Sequence, residues 1–110
     1  MLAEFQQLQD RLEKGFYVDN LYVMASLCKI LALNSEYPVP FFVVQQVFLG
    51  IIKDWEDRPL SVEEAKATEN KIKDSITHLI QAIKLGASNE TIYNSLTDIV
   101  SVYLTIVHPL

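Results

Sequence analysis

The stretch PVPFFVVQQVFLGIIKDW, from Pro38 to Trp55, is almost as apolar as a membrane-spanning helix, yet it lies in a short and well-charged chain. On a helical wheel at about 100° per residue, the apolar side chains of residues 41–55 cover an arc of roughly 220°. A helix that packs on one core needs an apolar arc of little more than about 100°. The stretch therefore predicts a helix with more apolar surface than one layer of neighbours covers.

The same stretch is too short to cross a bilayer. Its apolar run from Val39 to Ile52 contains 14 residues, two of which are glutamines. A transmembrane helix needs about 20 predominantly apolar residues. A helix that lies on a membrane surface usually has a basic polar face, and this one does not. We therefore expect no membrane association.

Helical periodicity and helix-ending residues divide the rest of the chain. Leu2, Phe5, Leu8 and Leu12 lie on one stripe of a first helix, which Gly15 ends, because glycine readily adopts the left-handed conformation that follows a helix. Similar patterns elsewhere predict an all-α bundle. The prediction is a single domain over residues 1–110 with helices at 2–14, 20–33, 40–57, 62–85 and 89–107.

Polar residues at the helix starts support these boundaries. Asp19 or Asn20 can cap the second helix, and Ser88 can cap the fifth. A short polar side chain at such a position accepts a hydrogen bond from the free N–H groups of the first turn. Ser61, with Glu64 three residues later, has the spacing of a capping box at the start of the fourth helix.

The fifth element has two interpretations. Its segment IVSVYLTIV, residues 99–107, is rich in β-branched residues and alternates in the way that a strand does. As a helix, the same element gathers its larger apolar residues on one face. These residues are Ile92, Leu96, Ile99, Tyr103 and Ile106. No other segment is an obvious partner strand, so the sequence favours a helix, with a strand as the alternative.

Charge and cysteine content limit the partners and the compartment. Nine basic and fourteen acidic residues give a net charge of −5, and the lysines near the middle of the chain alternate with acidic residues. A nucleic-acid-binding protein needs a basic stripe, so we expect none of that activity. Cys28 is the single cysteine, which is typical of a reducing compartment. With no signal-peptide pattern at the N-terminus, we predict a cytoplasmic protein.

The residue types that carry catalysis or hold cofactors lack their usual spacing. Neither His78 nor His108 follows a glutamate by three residues, as in di-iron bundles. Cys28 lies in a very apolar helix, where a thiol is usually inert packing. The three glycines are isolated, so no loop can cradle a phosphate. We predict no enzyme activity, no metal site and no cofactor.

The width of the apolar faces predicts self-association. The second, third and fifth helices have apolar faces wider than packing on one core requires. The narrower apolar stripes of the first and fourth helices can cover only part of these faces. Because monomers seldom expose large contiguous apolar patches, we expect a homo-oligomer, most simply a two-fold dimer. It would self-associate through the wide apolar faces of the third and fifth helices, which could also dock a partner helix. The predicted partner-binding residues are Tyr37, Phe41, Val44, Gln45, Phe48, Ile52 and Trp55.

A second hypothesis uses the same apolar surplus as the lining of an internal cavity. Such a bundle would bind a small apolar ligand, with Gln45 and a tyrosine as the few polar contacts. In either case Gln45 needs a hydrogen-bond partner, because an unpaired buried amide costs about 1 to 3 kcal/mol. The substitution Phe48→Asp separates the possibilities: it yields a folded monomer if Phe48 lies in an interface, and it unfolds the chain if Phe48 lies in the core.

Overall fold

The structure, a computed structural model, describes residues 2–58 and 60–107, with the backbone alone at residue 107. The regular structure of these residues is entirely helical. The helices are α1, Ala3–Lys14; α2, Val18–Asn34; α3, Pro38–Asp57; α4, Val62–Lys84; and α5, Asn89–Val107. The predicted all-α fold of five helices is confirmed, and the fifth element is a helix rather than the alternative strand.

Two helices begin two residues earlier than predicted. α3 begins at Pro38, because proline at the first helical position lacks only an N–H group that would have no helical partner. α2 begins at Val18 after Tyr17, whose side chain makes no capping hydrogen bond. Asp19 and Asn20 therefore lie inside the first turn of α2, and the prediction that one of them caps this helix is wrong.

The residue contacts of the chain cluster in two units, Met1–Leu60 and Ser61–Leu110. The prediction of one domain therefore stays a prediction. The first unit contains α1, α2 and α3. In it, α2 and α3 form a hairpin joined by residues 35–37, and α1 packs on α2.

Two aromatic pairs fix α3 within the first unit. Phe41 of α3 meets Phe5 of α1 edge to face, with ring centroids 6.1 Å apart. Phe48 meets Phe16, which precedes α2, in the same way at 5.9 Å. Each such pair stabilises a fold by about 0.5 to 1.5 kcal/mol beyond the burial of its surface. α1 and the turn that follows it therefore both pack on the apolar face of α3.

Asn20 joins the end of α1 to α2. Its buried amide nitrogen donates hydrogen bonds to the main-chain oxygens of Arg11, at 2.9 Å, and Gly15, at 2.7 Å. Carbonyl groups at the end of a helix have no partner within the helix, so this side chain supplies one. Gly15 has a φ of 97°, which favours glycine. The residue predicted to cap the start of α2 thus caps the end of α1.

The second unit is built from α4 and α5, which pack against each other. Ser61 Oγ accepts a hydrogen bond from the Glu64 N–H at 3.1 Å, and Ser88 Oγ accepts one from the Thr91 N–H at 3.2 Å. Both predicted serine caps are confirmed. The buried apolar residues of this unit are Ile72, Ile76, Leu79, Ile80 and Ile83 of α4, and Ile92, Leu96 and Ile99 of α5.

Candidate interaction surface

Four of the seven predicted partner-binding residues lie in the interior. Phe41, Val44, Phe48 and Ile52 are buried, and Phe48 is 0% exposed. The rings of Phe41 and Phe48 pack on other phenylalanines of the first unit, as described above. At these four positions the apolar width of α3 is core rather than free surface, so they offer nothing for a partner to contact on the folded chain.

The other three predicted residues, Gln45, Trp55 and Tyr37, are half-buried. Solvent reaches Gln45, so the full cost of an unpaired buried amide does not arise there. Tyr37 lies in the turn between α2 and α3, where its main-chain N–H donates a hydrogen bond to Ser35 Oγ at 3.1 Å. The assignment of these three residues to a partner contact stays a prediction.

In the first unit, exposed apolar side chains follow the outer face of α2. These residues are Val18, Tyr22, Ile30 and Leu33. At about 100° per residue they fall within an arc of roughly 120°. Two exposed charged residues, Asp19 and Lys29, project from the same arc. At the start of α3, Val39 and Phe42 are also exposed. The outer surface of this unit is therefore apolar but interrupted by charge.

In the second unit, a stripe of exposed residues follows α5. Tyr93, Thr97, Val100 and Leu104 succeed one another at spacings of four, three and four residues, which places them within roughly 60° of arc. Tyr93 is 68% exposed, Val100 38% and Leu104 49%. We call these four residues the α5 seam. The seam borders the buried face of α5, so the helix has the over-wide apolar face predicted from its sequence and leaves part of it exposed.

Threonine hydroxyls on α5 bond to the helix's own backbone. Thr97 Oγ1 donates to the carbonyl oxygen of Tyr93 at 3.0 Å, and Thr105 Oγ1 donates to that of Ser101 at 2.9 Å. A threonine that is satisfied in this way can be covered by an apolar surface without leaving an unpaired hydroxyl. Thr97 is therefore compatible with an apolar contact along the α5 seam.

The charged residues of α5 are not among the four seam residues. They are Glu90 and Asp98, and the helix contains no lysine or arginine. On the helical wheel Asp98 is about 130° from the centre of the α5 seam, whereas Glu90, in the first turn of α5, is only about 50° from it. One flank of the seam carries the uncharged polar residues Asn94 and Ser101. A contact centred on the seam therefore leaves Asp98 in water and meets Glu90 only at the start of the helix.

Each unit also has a surface groove. One, of about 520 Å³, is lined by Leu2, Asn34, Ser35, Glu36 and Tyr37. The other, of about 220 Å³, is lined by Lys71, Ser101, Val102, Thr105 and Ile106. Both linings mix polar and apolar side chains, and neither includes Gln45. They differ from the apolar cavity that the ligand-binding hypothesis predicts.

The thiol of Cys28 is buried in α2. Burial raises the pKa of this thiol far above its ordinary value, because a low-dielectric environment disfavours the thiolate. Since the thiolate is the nucleophile, this environment does not activate Cys28 as one. Among residues 2–58 and 60–107, no three histidine, cysteine or acidic side chains come together in a way that could hold a metal ion.

Within the described part of the chain, no helix has both the length and the apolar character needed to span a membrane. Comparison with protein-family models, curated proteins and solved structures gives no match to the chain. The exposed apolar faces of α2 and α5 are therefore the features on which a functional proposal can rest.

Proposed function

We propose that this chain is a small, non-enzymatic helical protein of the cytoplasm that functions by protein–protein association, with a second copy of itself as its first partner. The observation that carries the proposal is the grouping of exposed apolar side chains along the outer faces of α2 and α5. Single exposed apolar residues are ordinary on protein surfaces. A contiguous apolar face in water, however, usually marks an interaction site.

Two further properties support the proposal. The net charge of −5 disfavours nucleic acid as the partner, because that partner requires a concentration of basic residues. The cytoplasmic assignment rests on Cys28, the single cysteine of the chain. One buried thiol that stays protonated suits a compartment in which disulfides rarely form.

Self-association is tested by light scattering coupled to size exclusion, over about a hundredfold range of protein concentration. The expected result is an average mass that rises from 12.5 kDa towards twice that value as the concentration increases. Repeating the series at high salt serves as the control. An apolar contact persists there, whereas association between exposed charges weakens because salt screens them.

A mass that stays at that of one chain at the highest concentration would contradict self-association. The exposed faces of α2 and α5 would then be surfaces for a different protein, and the next experiment would be a partner search with α2 and α5 variants as controls.

A further inference from the structure

We infer that the α5 seam is the self-association surface and that the α5 helices of two copies pair along it in antiparallel orientation. The two-fold axis passes between the two helices, at the level of residues 98 and 99. This inference rests on the proposed function. The four seam residues, Tyr93, Thr97, Val100 and Leu104, have the alternating four- and three-residue spacing of helices that pack side by side along their length. The repeat therefore predicts a helix–helix contact rather than an isolated apolar spot.

The order of side chains along the α5 seam fits an antiparallel pair. With the axis between residues 98 and 99, Tyr93 faces Leu104 of the second copy, and Thr97 faces Val100 of the second copy. Each large aromatic ring then meets an isobutyl group, and the two β-branched residues meet at the centre. A parallel pair would place each residue against its own copy, with two tyrosine rings at one level.

The charge distribution favours this face over the other exposed apolar face. Both copies carry a net charge of −5, so an interface that contains charges brings like charges together. The outer face of α2 contains Asp19 and Lys29, and burying either without a partner is costly. The four residues of the α5 seam carry no charge. Asp98 lies about 130° from the seam centre, and Glu90 borders the seam only at the start of α5. Antiparallel helices additionally place opposite dipole ends side by side.

The exposed area of the α5 seam sets the strength of the expected dimer. Tyr93, at 68% exposure, offers roughly 100 to 170 Å² on its own. The whole seam offers on the order of 300 Å² of apolar surface per copy. A stable interface buries about 800 Å² per partner. We therefore expect a concentration-dependent dimer at the weak end of specific association rather than a permanent one.

A charge-pair rescue tests both the surface and its orientation. Leu104→Glu alone places a carboxylate against a tyrosine ring of the second copy, and Tyr93→Lys alone places an ammonium against a leucine. Each single variant is expected to weaken dimerisation at least about tenfold. In the double variant the introduced lysine of one copy faces the introduced glutamate of the other, twice per dimer. The double variant is therefore expected to dimerise more tightly than either single variant.

The control is Leu33→Glu, which adds the same charge at a 74% exposed position of α2, outside the α5 seam. It is expected to dimerise like the original chain. Because the substituted side chains are exposed, each variant is expected to fold. Circular dichroism checks this. Dimerisation is measured by sedimentation equilibrium on the full chain.

Three results would overturn the inference in distinguishable ways. If the original chain dimerises and both single variants still do, the α5 seam is not the surface, although the proposed function stands. If the single variants lose the dimer and the double variant does not recover it, the antiparallel pairing is wrong. If the original chain is monomeric at every concentration, the proposed function fails and the inference fails with it.

Discussion

α3 and α5 both have apolar faces wider than one neighbouring helix covers, but the chain uses the two faces differently. On α3, Phe41 and Phe48 are buried against the rings of Phe5 and Phe16. On α5, part of the wide face remains exposed as the α5 seam. The unit of α3 contains three helices and the unit of α5 contains two. The arc of apolar residues thus indicates how much apolar surface a helix has. The number of segments that pack around the helix determines how much of this surface its own chain buries.

The largest effect that tests this comparison is expected from Phe48→Asp. Because Phe48 is 0% exposed, the substitution places an unpaired carboxylate in the core and is expected to destabilise the chain by more than about 4 kcal/mol. Small domains have only about 5 to 15 kcal/mol of stability, so loss of the folded state at room temperature is the expected result. Far-ultraviolet circular dichroism and thermal denaturation measure it.

The matched control for that prediction is Phe42→Asp on the same helix. Phe42 is 54% exposed, so the change is expected to alter the free energy of unfolding by less than about 1 kcal/mol. A folded Phe48→Asp monomer with native-like denaturation would contradict this prediction. It would show that Phe48 lies outside the core and that α3 forms an interface.

The same comparison can be made within α5 at a smaller scale. Ile99 is fully buried, whereas its neighbour Val100 lies in the α5 seam. We expect Ile99→Ala to lower the free energy of unfolding by about 2 to 5 kcal/mol, since it removes buried carbon and leaves a cavity. Val100→Ala is expected to lower it by less than about 1 kcal/mol at concentrations where the chain is monomeric. Urea denaturation of both variants provides the measurement, and equal losses would mean that the seam is buried in the monomer.

The fold was predictable because its signals are local. Apolar spacing identified each helix, and Ser61 and Ser88 were recognised as caps because a serine at a helix start has a direct backbone partner. Asn20 was assigned incorrectly because its hydrogen bonds go to Arg11 and Gly15, which precede it in the chain by nine and five residues. A helical pattern does not contain that kind of long-range contact.

Asn20 is expected to have the next largest effect. Asn20→Ala removes two hydrogen bonds from a buried side chain to the end of α1 and takes this partner from the Arg11 and Gly15 carbonyl groups, so we expect a loss of about 2 to 3 kcal/mol. The control is Asn34→Ala, because the amide of Asn34 bonds only within its own helix, to the Ile30 oxygen at 2.9 Å, and is exposed. Chemical denaturation separates the two variants. A loss no greater than that of Asn34→Ala would mean that α1 is held by its apolar contacts alone.

The candidate site was harder to predict than the fold for a physical reason. The helical wheel correctly gave α3 and α5 wide apolar faces, but it contains no information on which segments pack against each face. It therefore named Phe41 and Phe48, which the chain covers itself, as partner-binding residues, and it gave the fifth helix a self-association face without naming residues on it. A usable signal was present in the chain: Tyr93, Thr97, Val100 and Leu104 repeat at four- and three-residue spacings, outside the face of Ile92, Leu96 and Ile99.

The smallest effect concerns the start of α5, where the α5 seam begins. Ser88 Oγ accepts a hydrogen bond from the Thr91 N–H at 3.2 Å, and Ser88→Ala is expected to lower the free energy of unfolding by about 1 kcal/mol. Ser88→Asp keeps a hydrogen-bond acceptor and adds a charge that the helix dipole favours, so this variant is expected to be as stable as the original chain. Since Tyr93 lies one turn further on, hydrogen exchange of the first α5 amides should rise in Ser88→Ala and dimerisation should weaken with it. Weakened stability with an unchanged dimer would place the contact nearer the end of α5 than the pairing of Tyr93 with Leu104 requires.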